Sequence, residues 1–142
     1  MNVAVLGASN KPDRYSFKAV QLLRQKGHAV YPVHPALAEV DGLRVWPSLS
    51  AIPVPLDTVT VYLSPKNQKH IADELLSSSA RRVIFNPGTE NSDLATQLRQ
   101  RGKEVQHACT LVLLTTGQFA KVADTPGVKT GPGGAKAPQN SV

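Results

Sequence analysis

Short apolar runs alternate with longer amphipathic stretches along the chain, and glycine or proline marks most of the changes. Asn2–Leu6 (NVAVL) is almost continuously apolar and stops at Gly7. A run of that length without polar alternation fits a strand buried on both faces, as in a parallel sheet. Ser16 then reads as the N-cap of a helix over 17–26. Phe17, Ala19, Val20, Leu22 and Leu23 form its apolar face, and Gly27 follows its end. Ala29–Val33 (AVYPV) reads as a second strand. Pro32 cannot donate to a ladder, which places this strand toward a sheet edge. Residues 34–55 are proline-rich and read as irregular, with a short helical turn over 48–51.

The second half repeats the alternation. Residues 58–63 (TVTVYL) form a third strand, rich in β-branched and aromatic side chains. Ser64-Pro65 reads as a cap followed by proline at the first helical position. It opens a helix over 65–78, in which Ile71, Ala72, Leu75 and Leu76 share a face. Arg82–Phe85 is a fourth strand, and residues 86–90 (NPGTE) are a turn. Asn91 or Ser92 caps a helix through 101 with Leu94, Ala95 and Leu98 inward, and Gly102 ends it. Glu104–His107 is a fifth, weaker strand. Residues 108–119 (ACTLVLLTTGQF) fit strand or helix equally. This order predicts an α/β, three-layer fold with a five-stranded parallel sheet, right-handed crossovers and helices on both faces.

Composition sets the limits of that domain. Residues 120–142 contain seven Gly or Pro and no Leu, Ile or aromatic residue, so we expect a disordered tail after a domain spanning 1–119. The chain carries 16 basic and 10 acidic residues, net +6, of which two charges belong to the tail. The basic residues are scattered and aromatics make up 5%, which argues against a nucleic-acid partner. There is no run of about 18 apolar residues and no basic leader, so neither a membrane span nor a signal peptide is expected. A single cysteine, Cys109, fits a cytoplasmic setting, and His28, His34, His70 and His107 lack metal-ligand spacing.

In a parallel α/β sheet, ligands bind beyond the carboxyl ends of the strands. Four loops lie there, at 7–15, 34–35, 62–65 and 86–90. The first joins a strand to a helix start, where backbone N–H groups meet anions. A dinucleotide fingerprint would need glycine at positions 7, 9 and 12, and the chain has Gly7, Ser9 and Pro12. Ser9 and Asn10 can still hydrogen-bond an anion, and Lys11 and Arg14 add two positive charges. The second strand ends in Val33-His34-Pro35, without the acid that nicotinamide-dinucleotide proteins place there. That absence tolerates a phosphorylated ribose, as in NADP or coenzyme A. Ser64 and Pro65 sit at the third loop, and Gly88 gives the fourth room for a ligand.

Together these residues resemble a family. Gly7-Ala8-Ser9, Val33-His34-Pro35, the Gly42-x-x-Val45-Trp46-Pro47-Ser48-Leu49 stretch and Asn86-Pro87-Gly88, in that order, look like the small single-domain CoA-binding proteins. These are similar to the CoA-binding domain of the succinyl-CoA synthetase α subunit. The resemblance covers roughly residues 2–119 and implies a Rossmann-like domain that holds coenzyme A or an acyl-CoA. It would place Gly7, Ala8, Ser9 and Lys11 by the phosphates, with Arg14 a further candidate. Val33, His34 and Pro35 would border the adenosine. Ser64, Pro65, Asn86, Pro87 and Gly88 would line the cleft. No catalytic group is evident, because the synthetase works through a histidine in a second domain. Cys109 reads as a small packing residue or as a thiol facing that of CoA. An NADP-dependent oxidoreductase is the alternative, with Tyr15, Tyr31 or Tyr62 as proton donor. Exposed sheet edges are compatible with a homodimer.

Overall fold

The computed structural model describes residues 1–120; the 121–142 stretch, most of the expected tail, lies outside the described residues. Five parallel strands make one sheet in the order β2-β1-β5-β6-β7. They are β1 (Asn2–Leu6), β2 (Ala29–Val33), β5 (Thr58–Val61), β6 (Arg82–Phe85) and β7 (Glu104–His107). A small antiparallel hairpin, β3 (Glu39–Val40) and β4 (Leu43–Arg44), fills the long loop between β2 and β5. Three helices connect strands, α1 (Tyr15–Gln25) between β1 and β2, α2 (Ala72–Ser77) between β5 and β6, and α3 (Ser92–Gln100) between β6 and β7; a fourth, α4 (Thr110–Thr115), follows β7. The chain crosses from β2 back over β1 to β5, which makes the β1/β5 boundary the switch point of a doubly wound, Rossmann-like sheet.

Two apolar layers cover the sheet. Ala4, Leu6, Val59, Val61, Val83 and Phe85 face one way, toward Leu75 and Leu76 of α2 and Leu94, Ala95 and Leu98 of α3. Val3, Val5 and Ile84 face the other way, toward Phe17, Val20 and Leu23 of α1 and Leu114 of α4. Successive strand residues point to opposite faces. That is why a continuous apolar run, rather than an alternating one, marks β1.

The departures from the expected elements have local causes. Helix α1 starts at Tyr15 with Arg14 as its cap residue, and Ser16 is buried in the first turn instead of capping it. The helix expected over 65–78 is a 3-10 turn at Pro65–Gln68 followed, after a break, by the six residues of α2. The 34–55 stretch holds the hairpin, whose Asp41 and Gly42 both take positive φ (51° and 78°). Asp-Gly between short strands is a two-residue hairpin signal, and reading it would have found this element. The 108–119 stretch resolves as helix, with Leu113 and Leu114 packed into the α1 layer. Pro32 lies on edge strand β2 as expected. Its carbonyl accepts from Trp46 N at 2.9 Å on the outer side, so its missing N–H removes no bond to β1.

At the amino ends of the strands, Arg82 is 2% exposed. Its Nε donates to Thr58 Oγ1 (3.0 Å) and its Nη1 to the Phe119 carbonyl (2.7 Å), and its guanidinium stacks 4.6 Å from the Phe119 ring. Burial pulls its pKa below the ordinary value, against the opposing pull of Glu104. Arg82→Ala should lower the unfolding free energy by roughly 3 kcal/mol, read as an earlier urea midpoint, because it strands a buried carbonyl and hydroxyl.

His28 packs edge-on to Phe119 at 5.1 Å between ring centres. Burial lowers its pKa from 6.5, and the amino group of Met1 and Arg82 add to that. Below pH 6.5 the unfolded chain therefore binds the proton more readily than the folded one, and stability falls as the solution is acidified. Thermal unfolding between pH 7.5 and 5.5 should show this loss, and His28→Gln should make the profile flatter.

Candidate functional site

The first loop leaves β1 at Gly7, whose φ of +87° suits glycine. A Cβ there would sit 3.0 Å from Leu63 Cγ and Cδ2 and 3.1 Å from the Tyr62 carbonyl carbon. Gly7 N and Ala8 N both donate to the Val33 carbonyl (3.1 and 3.2 Å), and Tyr62 N donates to the Leu6 carbonyl (2.8 Å). The start of the loop is thus pinned to the ends of β2 and β5 at the switch point. Gly7 and Ala8 supply shape here, since their N–H groups are committed to Val33.

Beyond them the loop opens to solvent. Ser9 Oγ accepts from Lys11 N at 3.1 Å, and Asn10, Lys11, Pro12, Asp13 and Arg14 are exposed. No side chain caps α1, and its first turn carries no acidic residue. Uncapped N–H groups and the positive end of the helix dipole therefore face the region of Lys11 and Arg14. Those two cations outnumber Asp13, and such a set fits a phosphate group.

The end of β2 is arranged differently from a free ligand contact. Val33 is buried, and its carbonyl carries the two bonds from the first loop. His34 Nδ1 accepts from Ala36 N (3.0 Å) and Leu37 N (3.1 Å), so it holds its own turn and leaves Nε2 as the outward nitrogen. Pro35 is exposed.

On the other side of the switch point, Ser64 and Pro65 are exposed at the head of the 3-10 turn. Pro87 and Gly88 are exposed as well, with Gly88 at φ +90° and its N–H donated to Glu90 Oε1 (2.9 Å). Asn86 is 2% exposed and faces inward. Its Nδ2 donates to Thr60 Oγ1 (2.7 Å) and to the Val61 carbonyl (2.8 Å), and its Oδ1 accepts from Thr110 N (2.9 Å). It joins the ends of β5 and β6 to the first residue of α4, so it shapes the cleft and does not line it.

Two groups beneath the cleft bear on chemistry. The Tyr62 hydroxyl is buried without a hydrogen-bond partner among the described residues. Burial pushes its pKa up, which the nearby Thr110 hydroxyl partly opposes and Cys109 reinforces. A phenol so placed keeps its proton at neutral pH. Cys109 is half-buried at the cap position of α4. No group of three or more His, Cys, Asp or Glu able to hold a metal ion occurs among the described residues, and none of their helices is long and apolar enough to cross a membrane.

Three residues around the site, Thr60, Thr110 and Gln68, carry no sequence signal that singled them out. Thr60 and Thr110 share a buried 2.7 Å hydrogen bond, and Gln68 and Asn91 share one of 2.9 Å. Threonine in a strand and glutamine in a polar run look like ordinary positions until the fold brings their partners close. Gly7→Ala should cost about 2 kcal/mol of stability, because it combines a left-handed φ with a close approach to Leu63; urea unfolding measures it.

Comparison with known proteins places the fold among relatives. The family described as CoA binding domain matches residues 1–115. A solved crystal structure of an uncharacterized protein is 38% identical, superposes with a TM-score of 0.78, and is matched over 83% of this chain and 97% of its own. Uncharacterized protein YneT of Bacillus subtilis is 29% identical over 103 residues, 72% of this chain and 76% of that protein. The α subunit of acetate–CoA ligase (ADP-forming) II from Pyrococcus furiosus is 29% identical over 84 residues, 58% of this chain but 18% of the subunit. The family match spans nearly all the described residues, including the first loop, the end of β2 and the turn after β6, and the chain belongs to the CoA-binding domain family.

Proposed function

We propose that residues 1–119 form a unit that binds coenzyme A or an acyl-CoA at the carboxyl ends of β1, β2, β5 and β6, without a reaction of its own. The observation that carries this reading is the amino end of α1. It lacks a side-chain cap and first-turn acids, and Lys11 and Arg14 flank its approach. The ligand's phosphates would meet Ser9, Asn10, Lys11 and Arg14, on a loop whose path Gly7 and Ala8 set. Its adenosine would border Val33, the Nε2 side of His34, and Pro35. The remainder would run past Ser64 and Pro65 toward Pro87 and Gly88, over the floor that Asn86 holds. The Tyr62 hydroxyl is buried, which withdraws that tyrosine from a substrate at these loops and leaves Tyr15 and Tyr31 as the donors an oxidoreductase would need.

Calorimetric titration with CoA, acetyl-CoA and NADPH tests the reading. Micromolar or tighter binding of CoA or acetyl-CoA is expected, and binding of NADPH with no response to either thioester-forming ligand overturns it. The double change of Lys11→Ala and Arg14→Ala should weaken CoA by at least about tenfold, the worth of one charge-assisted hydrogen bond. Unchanged affinity would remove these two residues from the phosphate site.

A further inference from the structure

Gln68 is 1% exposed, although the residues around it from Ser64 to His70 are all exposed. Its Nε2 donates to the Leu63 carbonyl (2.9 Å) and to the Thr89 carbonyl (2.7 Å). Its Oε1 accepts from Asn91 Nδ2 (2.9 Å), and Asn91 Oδ1 in turn caps α3 by accepting from Leu94 N (3.1 Å). One buried side chain thus ties the loop after β5 to the turn after β6 and to the start of α3. It reaches the first loop too, because Leu63 is the residue against which Gly7 closes. It is the last residue of the 3-10 turn, just before the break that precedes α2. Places where local preference yields to a buried polar network are often functional.

The geometry points to Gln68 as a positioning residue that makes the two loops one rigid wall of the cleft and so sets ligand affinity from beneath it. Half of this inference, the effect on affinity, rests on the CoA reading. The other half, the mechanical coupling of the loops, does not. A buried amide with three partners is a costly group to unpair, and it leaves the buried Thr89 bond and the part-buried Leu63 and Asn91 bonds unmade.

Two variants test it. Gln68→Leu removes all three bonds. Gln68→Glu keeps an oxygen that can accept from Asn91 but loses the amide donor to the Leu63 and Thr89 carbonyls, and serves if the first variant folds poorly. Leu23→Ala, in the opposite layer, is the control for general destabilisation. Amide hydrogen exchange on the ligand-free protein should rise about tenfold or more in both 63–69 and 86–91 with either cleft variant. It should stay unchanged in the 39–44 hairpin, and the control should not reproduce the pattern. Exchange that rises in one loop alone, rises evenly along the chain, or matches the control overturns the coupling. With CoA, the cleft variants should bind about tenfold more weakly while Leu23→Ala stays within twofold. Equal affinities overturn the effect on binding. If the wild-type chain itself fails to bind CoA, the functional reading falls, and the exchange pattern alone decides the coupling.

Discussion

Parallel strands of four or five residues cannot leave either face in water, and this demand arranges the rest of the molecule. The central strands carry apolar side chains on both faces, and helices cover those faces. α1 and α4 take one face while α2 and α3 take the other. Because all the strands run the same way, all their carboxyl ends open on the same side. The reversal of winding between β1 and β5 parts the loops there. In sheets of this kind ligands bind at such a place.

What keeps the cleft in shape is a set of inward-facing polar side chains. Asn86 joins β5, β6 and α4. Gln68 joins the two loops beside it. At the far end of the strands Arg82 performs a similar task by holding Thr58 and the Phe119 carbonyl. A polar group removed from water needs its partners supplied by the protein, so each of these residues demands one arrangement of its surroundings. The exposed residues of the first loop have few such obligations, which leaves Lys11, Arg14 and the open end of α1 available to an anion.

Much of the architecture was legible from the pattern. All five sheet strands and the helices α1 and α3 fall where apolar periodicity and punctuation put them, to within a residue or two. The hairpin was missed because two-residue strands have no period to detect, although Asp41-Gly42 marks its turn. The break after Gln68 was missed because Ser64-Pro65 reads as a helix start, although the helical spacing of Ile71, Ala72, Leu75 and Leu76 begins only beyond the polar run 66–70. Among the site residues, Asn86 was selected for its place in a turn. Its inward rotation was invisible, because nothing near it in the chain requires it.

By itself, the amino-acid sequence determined the alternation of strands and helices, the apolar character of the central strands, and thus which loops gather at the carboxyl end of the sheet. These depend on local periodicity and on rules of chain crossover, both of which act over short spans. The tertiary structure alone decided which polar side chains turn inward and which face the cleft. Gln68 meets Thr89 across 21 positions, Asn86 meets Thr60 across 26, and Arg82 meets Phe119 across 37. A side chain's partners at such separations exist only once the sheet has formed, so no local pattern could record them.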